Sequence, residues 1–140
     1  MFRRHAARSR ARDPLSAPSK LIIHSKPDGH IHLVQLIGEL DMDTAQAFED
    51  ELKRAEATAA HEVVVDLSGL DFIAADGLKV LIQANARSRG GGKQLVLVRG
   101  PQQVQATFEM TGLLSQLPFV DYGELRSLLH SHRPPIPLAA

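Results

Sequence analysis

Near the middle of the chain, Glu62-Val63-Val64-Val65-Asp66-Leu67 forms a β-branched run with no break. Such a run reads as a strand covered on both faces of a sheet. It lies between two stretches of helical period. Before it, Ala45, Phe48, Leu52, Ala55 and Ala59 recur at spacings of three and four, which makes one buried face, and Glu49, Asp50, Glu51, Lys53 and Glu56 fall on the remainder. After it, Leu78, Leu81, Ile82 and Asn85 line one side of a helix from about Asp76 to Arg89, stopped by Gly90-Gly91-Gly92. A doubly covered strand between amphipathic helices requires helices packed on a sheet, so the chain is α/β.

The flanking sequence extends this pattern. Leu21 to His24 is a short strand, Pro27-Asp28-Gly29-His30 a turn, and Ile31 to Leu40 a second strand paired with the first as a hairpin. Asp43 reads as the cap of the first helix, with Gln46 three residues on completing a capping-box pattern. Gln94 to Val98 is another buried strand, Gln102 to Met110 a third helix, Phe119-Val120 a short last strand and Gly123 to His130 a final amphipathic helix. The order β-β-α-β-α-β-α-β-α predicts a single α/β domain: a mostly parallel central sheet with an N-terminal β-hairpin and about four helices, joined by right-handed crossovers. In such sheets function collects at the carboxyl ends of the strands, where loops feed helix N-termini. The segment from Ser68 to Gly77 is expected to be that loop.

Charge divides the chain. Residues 1–20 carry six basic side chains against Asp13 alone, a net of +5, and residues 21–140 carry ten basic against fifteen acidic, a net of −5. The acidic body argues against a nucleic-acid-binding surface and suits a partner with a basic face. Residues 1–20 are expected to be a disordered basic tail, 21–131 the domain, and 132–140 a Pro-rich tail whose Pro134, Pro135 and Pro137 cannot extend a helix. There is no cysteine, which removes disulfides, thiolate metal sites and cysteine nucleophiles. No apolar run reaches the roughly 18–20 residues of a membrane span, and no apolar leader is present, so a cytoplasmic location is expected.

Several segments in order resemble the STAS domain of anti-sigma factor antagonists. These are Gly38-Glu39-Leu40-Asp41 with Thr44 and Ala45, then Val65-Asp66-Leu67-Ser68-Gly69-Leu70-Asp71-Phe72-Ile73, then Ala74-Ala75-Asp76-Gly77-Leu78, and finally Thr111-Gly112-Leu113 before Leu117 and Phe119-Val120. The resemblance covers residues 21–130. In that family the third segment reads Asp-Ser-Ser-Gly-Leu or Asp-Ser-Xaa-Gly-Leu. The first serine is phosphorylated by a kinase that is also the anti-sigma factor, and phosphorylation releases the antagonist from it. Here Gly77 and Leu78 match, but the aspartate is Ala74 and the acceptor serine is Ala75, which has no hydroxyl to phosphorylate. The resemblance implies an anti-sigma serine-protein kinase as partner, contacted through Asp41, Ser68, Phe72, Ala74, Ala75, Asp76, Gly77, Lys79 and Gln83. It implies no cofactor, no metal and no catalysis.

Asp76 admits two readings: an N-cap worth about 1 kcal/mol, or a fixed negative charge where the family gains a regulated one. Ser68 is the nearest hydroxyl and reads first as a turn or backbone hydrogen bond. Asp66 and Asp71 are two carboxylates near the loop, too few for a magnesium site. His30 with His32, and His130 with His132, lack a third ligand and read as exposed, solvated histidines. Phe48, Phe72 and Phe108 sit in apolar patterns and are expected in the core, Phe72 alternatively as an apolar contact beside the loop. Gly90-Gly91-Gly92-Lys93 follows a helix instead of opening one, so it lacks the context of a phosphate loop. Two other functions fit less well: docking in trans on a lipid or anion transporter subunit, and a small hydrolase, for which no nucleophile–base pair is present.

Overall fold

The computed structural model describes residues 3–8 and 20–131, with side chains placed for residues 20–127. Among the described residues six strands form one sheet in the order of the chain: β1 (Arg3–Arg8), β2 (Lys20–Asp28), β3 (Ile31–Leu40), β4 (Glu62–Ile73), β5 (Gln94–Val98) and β6 (Phe119–Val120). The pairs β1–β2 and β2–β3 are antiparallel, and β3–β4, β4–β5 and β5–β6 are parallel. Each parallel crossover carries a helix: α1 (Ala45–Glu56), α2 (Ala75–Arg89) and α3 (Gln102–Met110). A fourth, α4 (Tyr122–Ser131), follows β6. Arg3–Arg8 falls in the segment expected to be disordered, and here it pairs with Lys20–Ser25 as an edge strand.

The sheet has two different faces. On one, Leu21 and Ile23 of β2, Val34, Leu36 and Leu40 of β3, Val63, Val65 and Leu67 of β4, and Leu95 and Leu97 of β5 pack against Phe48, Leu52, Leu78, Leu81, Val104 and Phe108 of α1, α2 and α3. On the other, the alternate residues Ile31, Leu33, Val64, Val96 and Val98 meet Leu125 of α4. The strict period of two is what lets Glu62–Leu67 be buried throughout, as its unbroken apolar run predicts. Gly29, at φ +63, opens the two-residue loop of the β2–β3 hairpin, where the chain must turn with positive φ.

Several local expectations are corrected. The helix α1 ends at Glu56, so Ala59 lies outside it and is exposed, while Glu51 is buried at 1% exposure, 3.7 Å from Arg54. The buried side of α2 is Gly77, Leu78, Val80, Leu81 and Ala84; Ile82 is 43% exposed and Asn85 lies at the margin, near the Gln116 carbonyl. The largest difference is β4. It does not end at Leu67 but continues beside β3 to Ile73, through two irregularities. Between the pairs Gln35↔Asp66 and Ile37↔Gly69, Leu67 and Ser68 face Leu36 alone, and between Gly38↔Leu70 and Glu39↔Phe72, Asp71 is the extra residue. These are β-bulges, which bend a strand and re-aim its side chains. The interrupted alternation they produce is what reads as a loop in the sequence.

Candidate functional site

The carboxyl ends of β3 and β4 come together where α2 begins. The Ala74 N–H donates to the Leu40 carbonyl at 2.9 Å, so the exit of β4 is fastened to the exit of β3. Ala74 is the N-cap of α2, extended at φ −111° and ψ 176°, and its carbonyl accepts from the Gly77 and Leu78 N–H groups at 3.0 and 3.1 Å. Ala75 is the first helical residue and is exposed. Its N–H and that of Asp76 belong to the first turn, where a helix has donors without intrahelical partners and a positive dipole end. This is a place where a phosphate can be held, and the side chain standing there is a methyl group.

Asp76 is not the cap. It is the second residue of the helix, half-buried, and α2 has no side-chain capping bond at its N-terminus. Its carboxylate still lies in the first turn, where a negative charge is favoured by about 0.3–1 kcal/mol. Gly77 faces inward. A β-carbon built on it would lie 2.6 Å from Leu40 Cγ and 3.2 Å from Ile73 Cγ1. Its lack of a side chain is therefore what lets the helix start press against the ends of β3 and β4, and it offers a partner no contact. Lys79 and Gln83 are exposed, one and two turns along, and with Asp76 they line a groove of about 360 Å³ between α1 and α2. Met42, Gln46 and Glu49 supply the opposite wall. Met42, 57% exposed, was not singled out from the sequence, although an apolar side chain in the run Asp41-Met42-Asp43 is itself a signal of a contact residue.

Asp41 holds the neighbouring loop. Its carboxylate accepts from the Asp43 N–H at 3.0 Å, and its carbonyl from the N–H groups of Thr44 and Ala45 at 3.2 and 2.9 Å. The cap position of α1 belongs to Thr44, not to Asp43. Thr44 is fully buried, and its hydroxyl donates to the Glu39 carbonyl at 2.8 Å while accepting from the Asp41 N–H at 3.0 Å. Gln46 bonds Asp50, at 2.9 Å, in place of a capping box.

Ser68 and Phe72 stand apart from this group. Ser68 is exposed in the first bulge, and its backbone N–H is held by Asp66 Oδ1 at 2.9 Å. Asp66 is 3% exposed, and its other carboxylate oxygen accepts from Gln35 Nε2 at 3.3 Å. That carboxylate is spent on shaping the bulge. Phe72, expected in the core or as an apolar contact beside the loop, is 51% exposed and lies on the sheet face opposite α1–α3. The structure thus gathers Asp41, Ala74, Ala75, Asp76, Lys79 and Gln83 around the start of α2, puts Gly77 beneath them, and leaves Ser68 and Phe72 on β4.

The histidines also differ from expectation. His32 is buried, with Nε2 2.7 Å from Ser25 Oγ, and the His30 ring lies 5.3 Å from that of His61. His130 is in α4 without a described side chain, and His132 lies outside the described residues. Among the described residues no three His, Asp or Glu side chains are placed to share a metal ion, and no helix is long and apolar enough to cross a membrane.

Parallel strands wound with α1–α3, an antiparallel hairpin at the start and a tight Gly-Leu helix entry define a STAS fold, and the chain belongs to that family: the family model described as "Mlab, STAS domain" matches residues 26–120. Among curated proteins it is 28% identical over 86 residues to the anti-sigma-F factor antagonist RsfB of Mycobacterium tuberculosis, covering 61% of this chain and 70% of that one. It is 31% identical over 99 residues to the Bordetella bronchiseptica protein named "Putative anti-sigma factor antagonist BtrV", covering 71% and 84%. Among solved structures, an anti-sigma factor antagonist from Mycobacterium paratuberculosis superposes with a TM-score of 0.72 at 25% identity, over 83% of this chain and 99% of that one. The unphosphorylated antagonist SpoIIAA shares the fold, with a TM-score of 0.63 at 16% identity over 76% and 92% of the two chains.

Proposed function

We propose that this protein is an anti-sigma factor antagonist-like regulatory binding protein, without enzymatic activity of its own. Its partner in this reading is an anti-sigma factor of the serine-kinase type, which it meets through the start of α2 and the groove beside it. Support comes from the family, from relatives named as anti-sigma factor antagonists, and from a site with the form of a contact surface: exposed Met42, Ala75, Lys79 and Gln83 around a helix N-terminus.

The observation that carries the finer reading is Ala75. It occupies the exposed first position of α2 directly before Asp76-Gly77-Leu78, and a methyl group has no oxygen to accept a phosphoryl group. The surface is then not released by phosphorylation at that position, and control falls to abundance or to competition with a phosphorylatable relative. Asp76 adds a permanent single charge next to the place where a phosphorylated serine would carry nearly two.

Calorimetric titration against the anti-sigma kinase encoded nearest this protein, with nucleotide present, tests the binding. Intact mass after incubation with ATP tests the chemistry. Binding with no added phosphoryl group, and one added group on Ala75→Ser, is the expected result. A phosphoryl group on the unsubstituted protein would overturn the role given to Ala75. Absence of binding would overturn the choice of partner and favour docking on a transporter subunit.

A further inference from the structure

Another cavity lies at the far end of α2, about 22 Å from its start for a helix of fifteen residues. Its volume is about 450 Å³, and it is lined by Glu56 of α1, His61 before β4, Arg87 and Ser88 of α2, and Lys93 before β5. Among the described residues no apolar side chain lines it. Its cations are held in place. Arg87 donates from Nε and Nη2 to the two carboxylate oxygens of Glu56, at 2.9 and 3.0 Å. Lys93 Nζ donates to the Thr58 and Ala60 carbonyls at 2.9 and 2.6 Å. A guanidinium has five N–H donors and an ammonium three, so three on Arg87 and one on Lys93 have no acceptor among the described residues.

We propose that this cavity binds a small anion whose phosphate or carboxylate oxygens accept from Arg87 and Lys93. Its walls offer donors in excess. The one carboxylate among them, Glu56, is engaged on both oxygens, and His61 and Ser88 bring a ring N–H and a hydroxyl. The charge has the same sense: Arg87, Arg89 and Lys93 against Glu56 leave two positive charges at this end of a body that is acidic as a whole. A helix C-terminus ordinarily repels an anion through its free carbonyls. At the end of α2 those carbonyls are covered. The N–H groups of Gly90, Gly91 and Gly92 donate to the carbonyls of Ala86, Ser88 and Arg87 at 3.0, 3.3 and 2.9 Å. Glycine is needed for so tight a turn: Gly91 has φ +103°, and a β-carbon at Gly92 would stand 2.7 Å from the Arg87 carbonyl oxygen. Lys93 covers two carbonyls beyond the end of α1 in the same way. Gly90-Gly91-Gly92-Lys93 is therefore no phosphate loop, since its glycine N–H groups are spent on α2. It is the turn that closes a helix end and sets a lysine beside an arginine. Both cations are anchored by bonds that an anion leaves intact, so little side-chain freedom remains to be lost on binding.

The test is a titration of the full, isotopically labelled chain with inorganic phosphate and, separately, with malonate, chloride being adjusted to hold the ionic strength constant. Saturable shifts are expected at the amides of Gly91, Gly92 and Lys93 and at the Arg87 Nε–H, with Lys79 and Gln83 near the start of α2 unmoved. The anion that saturates at the lower concentration assigns the site to phosphate or to carboxylate oxygens. Arg87→Met should weaken binding by at least about tenfold, the least that losing a hydrogen bond to a charged group implies. Glu56→Gln keeps the guanidinium and removes the negative charge beside it, so binding should tighten severalfold. An ion pair that serves the fold alone gives no such gain. Shifts that rise without saturating, that spread alike over the exposed Lys53, Arg54 and Arg89, or that survive Arg87→Met unchanged overturn the proposal. So does a Glu56→Gln protein that binds no tighter than the parent. The anti-sigma kinase takes no part in the experiment, so its outcome is separate from that of the titration above.

Discussion

Replacing Gly77 with alanine tests whether the start of α2 is placed by close packing. The added methyl carbon would stand 2.6 Å from Leu40 Cγ and 2.7 Å from Leu40 Cδ2, about 0.9 Å short of the separation at which carbons rest. Leu40 has no room to move aside. It is fully buried, and its carbonyl is tied to the Ala74 N–H one residue before the helix. The strain therefore falls on the first turn of α2. Overpacking of this kind costs about 1–3 kcal/mol, and alanine returns up to about 1 kcal/mol through its better helix propensity. A net loss of about 1 kcal/mol is expected, a fall of about 4 °C in melting temperature for a chain of this size. The diagnostic measurement is a double-mutant cycle with Leu40→Ala, followed by urea denaturation. Alone, Leu40→Ala should cost about 2–5 kcal/mol by leaving a cavity. Combined, the methyl at position 77 occupies part of that cavity, so the double variant should be more stable than the sum of the singles by at least about 1 kcal/mol. Additive losses, or a Gly77→Ala protein as stable as the parent, would refute the claim that this contact sets the helix position.

Substitutions at three other positions separate structural from functional charge. Asp66→Ala should destabilise by about 1–3 kcal/mol by stranding the Ser68 N–H and the Gln35 amide, and Asp66→Asn by less; an unchanged denaturation midpoint for Asp66→Ala would remove the bulge-holding role. Asp76→Asn should leave stability within about 1 kcal/mol and tighten binding to the anti-sigma kinase severalfold, with the gain shrinking at high salt; weaker binding would show that the carboxylate is a contact and not a standing repulsion. Arg87→Met removes the paired bonds to Glu56 at 2.9 and 3.0 Å, and because both side chains are partly exposed the loss in thermal denaturation should stay below about 1 kcal/mol, so a larger one would mean the pair organises the lower end of α1 and α2.

The alternation of strands and helices was legible because burial on two faces forces periods that neither face can break. Val63, Val64 and Val65 are buried whichever way they point, and Phe48 and Phe108 recur at helical spacing on helices that meet the sheet. What could not be read were places where a single residue leaves the period. Ser68 and Asp71 each insert one residue into β4, and from the sequence an inserted residue beside glycine is indistinguishable from a turn. The apolar neighbours of Phe72 fit either the core or a contact beside the loop, and the second bulge is what decides which face it joins. The burial of Thr44, His32 and Glu51 was hidden for a related reason. Thr44 and His32 find partners set by the tertiary fold, the Glu39 carbonyl and Ser25, while Glu51 is buried by the packing of α1 although its neighbour Arg54 is only three residues along the same helix.

The residues of the helix entry divide by what constrains them. Gly77 is fixed by the closeness of Leu40, Leu78 by the core, and Ala74 by an extended backbone whose N–H is claimed by β3. Packing therefore fixes the side chain at Gly77 and Leu78 and the backbone at Ala74. Ala75 is different. It is exposed and sits at a helix position that accepts almost any residue. A serine would fit there without moving a neighbour, so packing does not explain the alanine. The same freedom applies to Asp76, whose charge the helix end tolerates but does not require. Of the two positions at which this chain differs from the Asp-Ser-Xaa-Gly-Leu pattern it resembles, Ala74 and Ala75, the second is the exposed one. Restoring the hydroxyl with Ala75→Ser should therefore alter the chemistry at the site while leaving the unfolding curve where it was.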